Sequence, residues 1–183
     1  GVRLVIGTGA TRWFTDPEAS AVRSIDRGNS VERRTLIGSG LFSWGESTGD
    51  RQSTQLKHAV GIEVVNGDLY IADSYNHWIK IIEVQTGTSA LVAGNGVPGF
   101  ADGTGEAAQL AEPSGLSAAG HVVFIADTNN HQTRTLDTTT GHPKTLELTN
   151  QKAPILPNPT APAEQLTFHP TRVAPTQVPL PHK

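Results

Sequence analysis

The sequence predicts an all-β protein, an array of small antiparallel sheets of the β-propeller class. Three observations lead there: an internal repeat, a fourfold pattern of short strands inside each copy, and the near absence of helical periodicity. The repeat is clearest where Asp73-Ser74-Tyr75-Asn76-His77 returns as Asp127-Thr128-Asn129-Asn130-His131. Around it, Gly61, Leu69-Tyr70-Ile71-Ala72 and Ile79-Lys80-Ile81-Ile82-Glu83 answer Gly115, Val123-Phe124-Ile125-Ala126 and Thr133-Arg134-Thr135-Leu136-Asp137. The offset holds throughout, since 115 − 61, 127 − 73 and 134 − 80 all give 54. A chance match of one short motif would not keep its phase, and a period of this length marks a repeat architecture.

A third copy lies at the N-terminus. Trp13-Phe14-Thr15-Asp16 and Val22-Arg23-Ser24-Ile25-Asp26 align with the middle copy at an offset of 57 (73 − 16), with Ala19-Ser20 in place of the Asn-His pair. The connections repeat too: Leu36-Ile37-Gly38-Ser39-Gly40 answers Val92-Ala93-Gly94-Asn95-Gly96, and Trp44 answers Phe100. These phased aromatics are expected to be buried, because a long loop in a compact domain needs packed side chains of its own.

In the middle unit the strand segments fall at roughly 60–65, 68–73, 77–84 and 88–93, bounded by turn residues. Asn66-Gly67 separates the first two, and Asn-Gly favours a two-residue hairpin because both positions need positive φ. Thr86-Gly87 and Thr140-Gly141 mark the last turn of successive units. Only 104–111, Thr-Gly-Glu-Ala-Ala-Gln-Leu-Ala, suggests a short turn of helix. Four-stranded units in tandem are propeller blades, whereas β-helical solenoids use much shorter coils.

The stretches Ile-Ala-Asp-Ser-Tyr-Asn-His-Trp-Ile-Lys (71–80) and Ile-Ala-Asp-Thr-Asn-Asn-His-Gln-Thr-Arg (125–134) resemble NHL repeats, the propeller family named for an Asn-His-Leu signature. The connections Gly40–Gly45 with Leu56–Gly61, and Ala93–Gly103 with Glu112–Leu116, resemble the branch in which an NHL propeller follows a thioredoxin-like domain. The resemblance covers residues 1–150 and implies about three blades of a ring that in this family commonly has six. It also implies a non-catalytic scaffold for protein–protein interaction, with no cofactor and with an unidentified protein as partner. RNA binding and metal-dependent lyase activity, both found on related propellers, are the alternatives. Residues 151–183, with eight prolines, read as an extended linker or the start of a C-terminal β-domain, with one edge strand at 165–168.

The signature residues Asp16, Asp73, Asn76, His77, Asp127, Asn130 and His131 are expected to be structural. An Asp at the end of a strand can accept hydrogen bonds from backbone N–H groups a few residues on, which satisfies the turn locally. A repeated residue is most simply explained by a repeated turn.

Composition bounds the chemistry. There is no cysteine, hence no disulfide, thiolate metal site or thiol nucleophile in these residues. The net charge of −3 disfavours a broad phosphate-binding surface, which leaves Arg23, Arg27, Arg33 and Arg34 as the nearest basic candidates for RNA. The seven histidines show no pair at zinc-ligand spacing, and Asp102-Gly103-Thr104-Gly105-Glu106 lacks the oxygen count of a calcium loop. Gly94-Asn95-Gly96-Val97-Pro98-Gly99 fits G-x-G-x-x-G literally, but no helix can open after Pro98 to hold a pyrophosphate. No apolar run approaches the ~20 residues that span a bilayer. Since the chain contains no methionine, it is expected to be an internal or processed segment whose ring is completed by further blades, from the same polypeptide or from a second copy.

Overall fold

The computed structural model describes residues 3–7, 10–27, 31–38 and 45–145. Trp44, Leu146, Leu148, the proline-rich segment and its expected edge strand lie outside them. Among the described residues, twelve strands form three four-stranded antiparallel sheets, each in simple up-and-down order. The first sheet is β1 (Arg3–Ile6), β2 (Thr11–Asp16), β3 (Ala21–Arg27) and β4 (Val31–Ile37). The second is β5 (Ala59–Val65), β6 (Asp68–Asp73), β7 (Trp78–Ile82) and β8 (Ser89–Ala93). The third is β9 (Pro113–Ala119), β10 (Val122–Asp127), β11 (Gln132–Asp137) and β12 (His142–Thr145).

The turn chemistry explains the register. Asn66 and Gly67 take φ of 53° and 96°, so the two-residue turn carries the positive φ pair that matches strand twist and places Val65 opposite Asp68. Gly87 and Gly141 donate their N–H groups to Glu83 O and Asp137 O, each at 2.8 Å, and both glycines have positive φ. The segment 104–111 is not helical. It makes a single turn, with Ala107 N–H on Thr104 O, and then pairs back through Ala101 and Gln109. Gly103 precedes that turn and Gly105, at φ 53°, lies within it, and glycine's backbone freedom favours such a reversal over a nucleated helix.

Each strand presents alternate residues to opposite faces of its sheet, and the facing sides of adjacent sheets meet in seams. The seam between the first two sheets buries Val22, Leu36 and Ile37 against Leu56, Ile62, Leu69, Ile71 and Ile82. The next seam sets Tyr70, Ala72, Ile79 and Ala93 against Leu110, Val123, Ile125 and Leu136. Leu56, Leu69, Ile71 and Ile82 lie 54 residues before Leu110, Val123, Ile125 and Leu136, so the sequence repeat is also a packing repeat. Burying one such side chain contributes about 1.5–3 kcal/mol, and the seams therefore supply most of the driving force for stacking. Thr15, fully buried, adds a polar stitch by donating its hydroxyl to Val60 O at 2.8 Å.

The third sheet's far face is open. Ala126 and Thr133 are exposed there, whereas the equivalent Ala72 and Ile79 of the second sheet are fully buried under the third. Among the described residues no helix is long and apolar enough to cross a membrane.

Candidate functional site

The signature residues lie at one end of each blade, between the second and third strands. Asp73 ends β6, Ser74–Asn76 form one 3-10 turn, and His77 closes it in the left-handed conformation at φ 57°. Asp127, Thr128–Asn130 and His131 (φ 53°) repeat this arrangement. Neither aspartate caps its own turn, contrary to the local reading of the sequence. Each reaches back sixteen residues to the loop that enters its blade. Asp73 Oδ1 accepts from Lys57 N at 2.7 Å, and Asp127 Oδ1 accepts from Ala111 N at 2.8 Å. Turn and loop are tied in both directions: His77 N–H closes the 3-10 turn on Ser74 O, while Tyr75 N–H and Asn129 N–H go to Lys57 O and Ala111 O of the incoming loops, whose own amides the aspartates then accept.

The second carboxylate oxygen and the asparagine complete a fastening. Asn76 donates from Nδ2 to Asp73 Oδ2 at 2.8 Å and to Gly45 O at 2.7 Å. Asn130 does the same with Asp127 Oδ2 and Gly99 O, both at 2.8 Å. A buried cation closes each set. Lys80 Nζ lies 3.0 Å from Asp73 Oδ2 and also donates to Gln55 O and Ser47 O. Arg134 lies 3.0 Å from Asp127 Oδ2 and donates to Gln109 O, Ala101 O and Asp102 Oδ1. Gly45, Ser47, Gln55 and Lys57 stand 54 residues before Gly99, Ala101, Gln109 and Ala111. Two long loops are thus bolted on both of their arms by the same constellation. Burial pushes the Asp73 carboxyl above the ordinary carboxylate range, against the opposing pull of the Lys80 ammonium and the Lys57 and Asn76 donors.

Lys80 and Arg134 are both fully buried, a role that the strand pattern alone does not assign them. The signal was available: a basic residue follows the signature Asp by seven positions in all three copies, as 23 − 16, 80 − 73 and 134 − 127 show. In the first blade Arg23 Nε pairs with Asp16 Oδ2 at 2.9 Å and also donates to Thr35. Arg23, one of the basic candidates for RNA, is therefore engaged within its own sheet. The Asp16–Arg23 pair is partly exposed, with side chains about a quarter accessible.

The residue that closes the signature turn fastens the first blade to the second and the second to the third. His77 Nδ1 accepts from Glu112 N at 3.1 Å, where the chain enters the third sheet. Ser20 stands at His77's place in the first blade, takes φ 45°, and accepts from His58 N through its hydroxyl at 3.2 Å. Glu112 and His58 are 54 residues apart, so a serine performs the histidine's task. His131 is exposed. Phe100 is 55% exposed rather than buried, because the guanidinium of Arg134, 5.0 Å from its ring centroid, fills the space beneath it. Tyr75 (48%) and Val97 (57%) are the other large apolar side chains in the open among the described residues, and Tyr75 stacks on His58. Among the described residues no three His, Cys, Asp or Glu side chains converge as a metal cluster would require.

Repeated four-stranded sheets fastened in this way define the blades of a β-propeller. The NHL repeat model matches residues 56–82, which span the end of the first bolted loop, β5, β6, the signature turn and β7. The protein SUPPRESSOR OF QUENCHING 1 of Arabidopsis thaliana is 35% identical over 152 residues, 78% of this chain and 14% of that protein. NHL repeat-containing protein 2 is 32% identical in Bos taurus over 68% of the chain and 28% identical in Homo sapiens over 85%. The chain spans 14–23% of the length of these relatives. An auxiliary nutrient binding protein from Bacteroides ovatus shares the fold at a TM-score of 0.64 and 19% identity, over 76% of this chain and 36% of that one. The chain belongs to the NHL-repeat family.

Proposed function

We propose that this propeller segment is a non-catalytic scaffold for protein–protein interaction and that it belongs to a larger thioredoxin-NHL protein. One observation carries the reading. The polar signature residues Asp73, Asn76, Asp127 and Asn130 are consumed in fastening loops, while the large apolar side chains exposed among the described residues, Tyr75, Val97 and Phe100, all stand on turns and loops at blade ends. Residues held by a rigid scaffold and presented on loops are where binding concentrates. Tyr and Phe are favoured anchors at interfaces.

The test is affinity capture from the cells of origin, comparing the wild-type chain with a Tyr75→Ser, Val97→Ser, Phe100→Ser variant. The expected result is a specific partner retained by the wild type and lost by the variant, at unchanged melting temperature. A partner retained equally by both would overturn the assignment to these loops. Turnover by the purified chain, or a metal in stoichiometric amount, would overturn the non-catalytic reading. A thioredoxin-like domain absent from the same polypeptide would overturn the assignment to that branch.

A further inference from the structure

Beyond the scaffold role, we infer that the seam between the first and second blades holds a small-molecule site for a sugar acid of monosaccharide size. The seam opens into a cavity of about 300 Å³, at the low end of the range that holds small ligands. The opening arises from one register position. In the second sheet Tyr70 stands opposite Ile81, and Ile81 packs against the seam to the third sheet. In the first sheet Trp13 stands opposite Ser24, and Ser24 stands opposite Arg34. The third sheet has Thr135 at this position, and in the first sheet a serine in place of the second sheet's isoleucine leaves the space unfilled and lines it with a hydroxyl.

The lining is chemically mixed in a specific way. Trp13, Leu36 and Val84 supply apolar surface. The Asp26 carboxylate already accepts from the Thr11 hydroxyl at 2.5 Å and keeps capacity for further donors. Arg34 of the first sheet and Arg51, on the loop entering the second, bring guanidinium groups to the cavity from opposite blades. A hydroxylated ring carrying one carboxylate matches this set. Its C–H surface packs on the indole, its hydroxyls donate to Asp26 and exchange hydrogen bonds with Ser24, and its carboxylate meets arginine in charge-assisted bonds. A neutral sugar would forgo the arginine contacts, and a purely apolar ligand would strand Asp26.

Isothermal titration of the 183-residue chain with D-glucuronate, and with D-glucose as the uncharged counterpart, tests the assignment. The expected result is saturable glucuronate binding at least tenfold tighter than glucose. Ser24→Ile, which installs the side chain found at the equivalent place in the second blade, is expected to abolish binding with the melting transition retained. Arg51→Gln, at an exposed loop position, is expected to weaken glucuronate by roughly tenfold or more while leaving glucose unchanged. Absence of saturable glucuronate binding at millimolar concentration, equal binding of the two sugars, or wild-type affinity in Arg51→Gln would each overturn it.

Discussion

A buried carboxylate that faces a buried cation is costly to break from one side only. The bolts of the second and third blades are buried throughout, with Asp73, Lys80, Asp127 and Arg134 all at 0% exposure. Removal of the carboxylate strands the cation and an amide of the incoming loop, so Asp73→Ala and Asp127→Ala are each expected to lose about 3–5 kcal/mol. Asp16→Ala, whose pair with Arg23 is partly solvated, is expected to lose no more than about 1 kcal/mol. Urea unfolding of the three variants checks the contrast, and equal losses would refute the ranking by burial. Ser20→Ala isolates the smaller link between blades. Loss of its bond from His58 N is expected to cost about 0.5–1.5 kcal/mol, read from the same curves.

At the scale of strands and loops, the seams discriminate between residues that the sequence repeat makes equivalent. A methyl group on Gly61 would sit 2.3 Å from Ser114 O, in the backbone of the next blade, whereas on Gly115 it would meet only Ala126 at 3.4 Å. Gly61→Ala is therefore expected to destabilise by about 1–3 kcal/mol through overpacking, and Gly115→Ala by less than about 0.5 kcal/mol. Thermal melting of the pair decides it. The strand pattern was legible beforehand, because Asn66-Gly67 and the alternation along Leu69–Ala72 and Ile79–Ile82 are local signals of turn and period. The fastening was only half legible. Asp73 and Asp127 were recognised as repeated, but their amide partners at Lys57 and Ala111 lie on the loop upstream, and hydrogen bonds between segments leave no mark in a local pattern. Lys80 and Arg134 escaped for a related reason: a charged residue alternating with apolar ones reads as solvent-facing, and only the fixed seven-residue spacing from Asp betrays its burial. Phe100 erred in the opposite direction, since its phase with Trp44 suggested an anchor while the guanidinium of Arg134 holds it at the surface.

The three described blades share one repeat and differ in their surroundings. The exposed Ala126 and Thr133 stand where Ala72 and Ile79 are sealed, which makes the third sheet's far face a surface suited to another blade. The purified chain is accordingly expected to self-associate or to melt without sharp cooperativity when separated from further blades. Light scattering with calorimetry at micromolar concentration is the measurement, and a cooperatively melting monomer would refute the expectation. The bolts also say where such a stack can be divided. Because the bolts tie each long loop to the turn that follows it, with the bridge from Ala93 to Gly105 as a lighter link back to β8, the bolted module runs from the loop into its blade: 45–93 for the second sheet, 99–145 for the third. A protein engineer who excises or transplants a blade at its first strand, near Ala59 or Pro113, would leave behind the backbone that holds Asp73 or Asp127. A cut just past the fourth strand, at Gly94 through Pro98, keeps every such attachment on one side of the scissors.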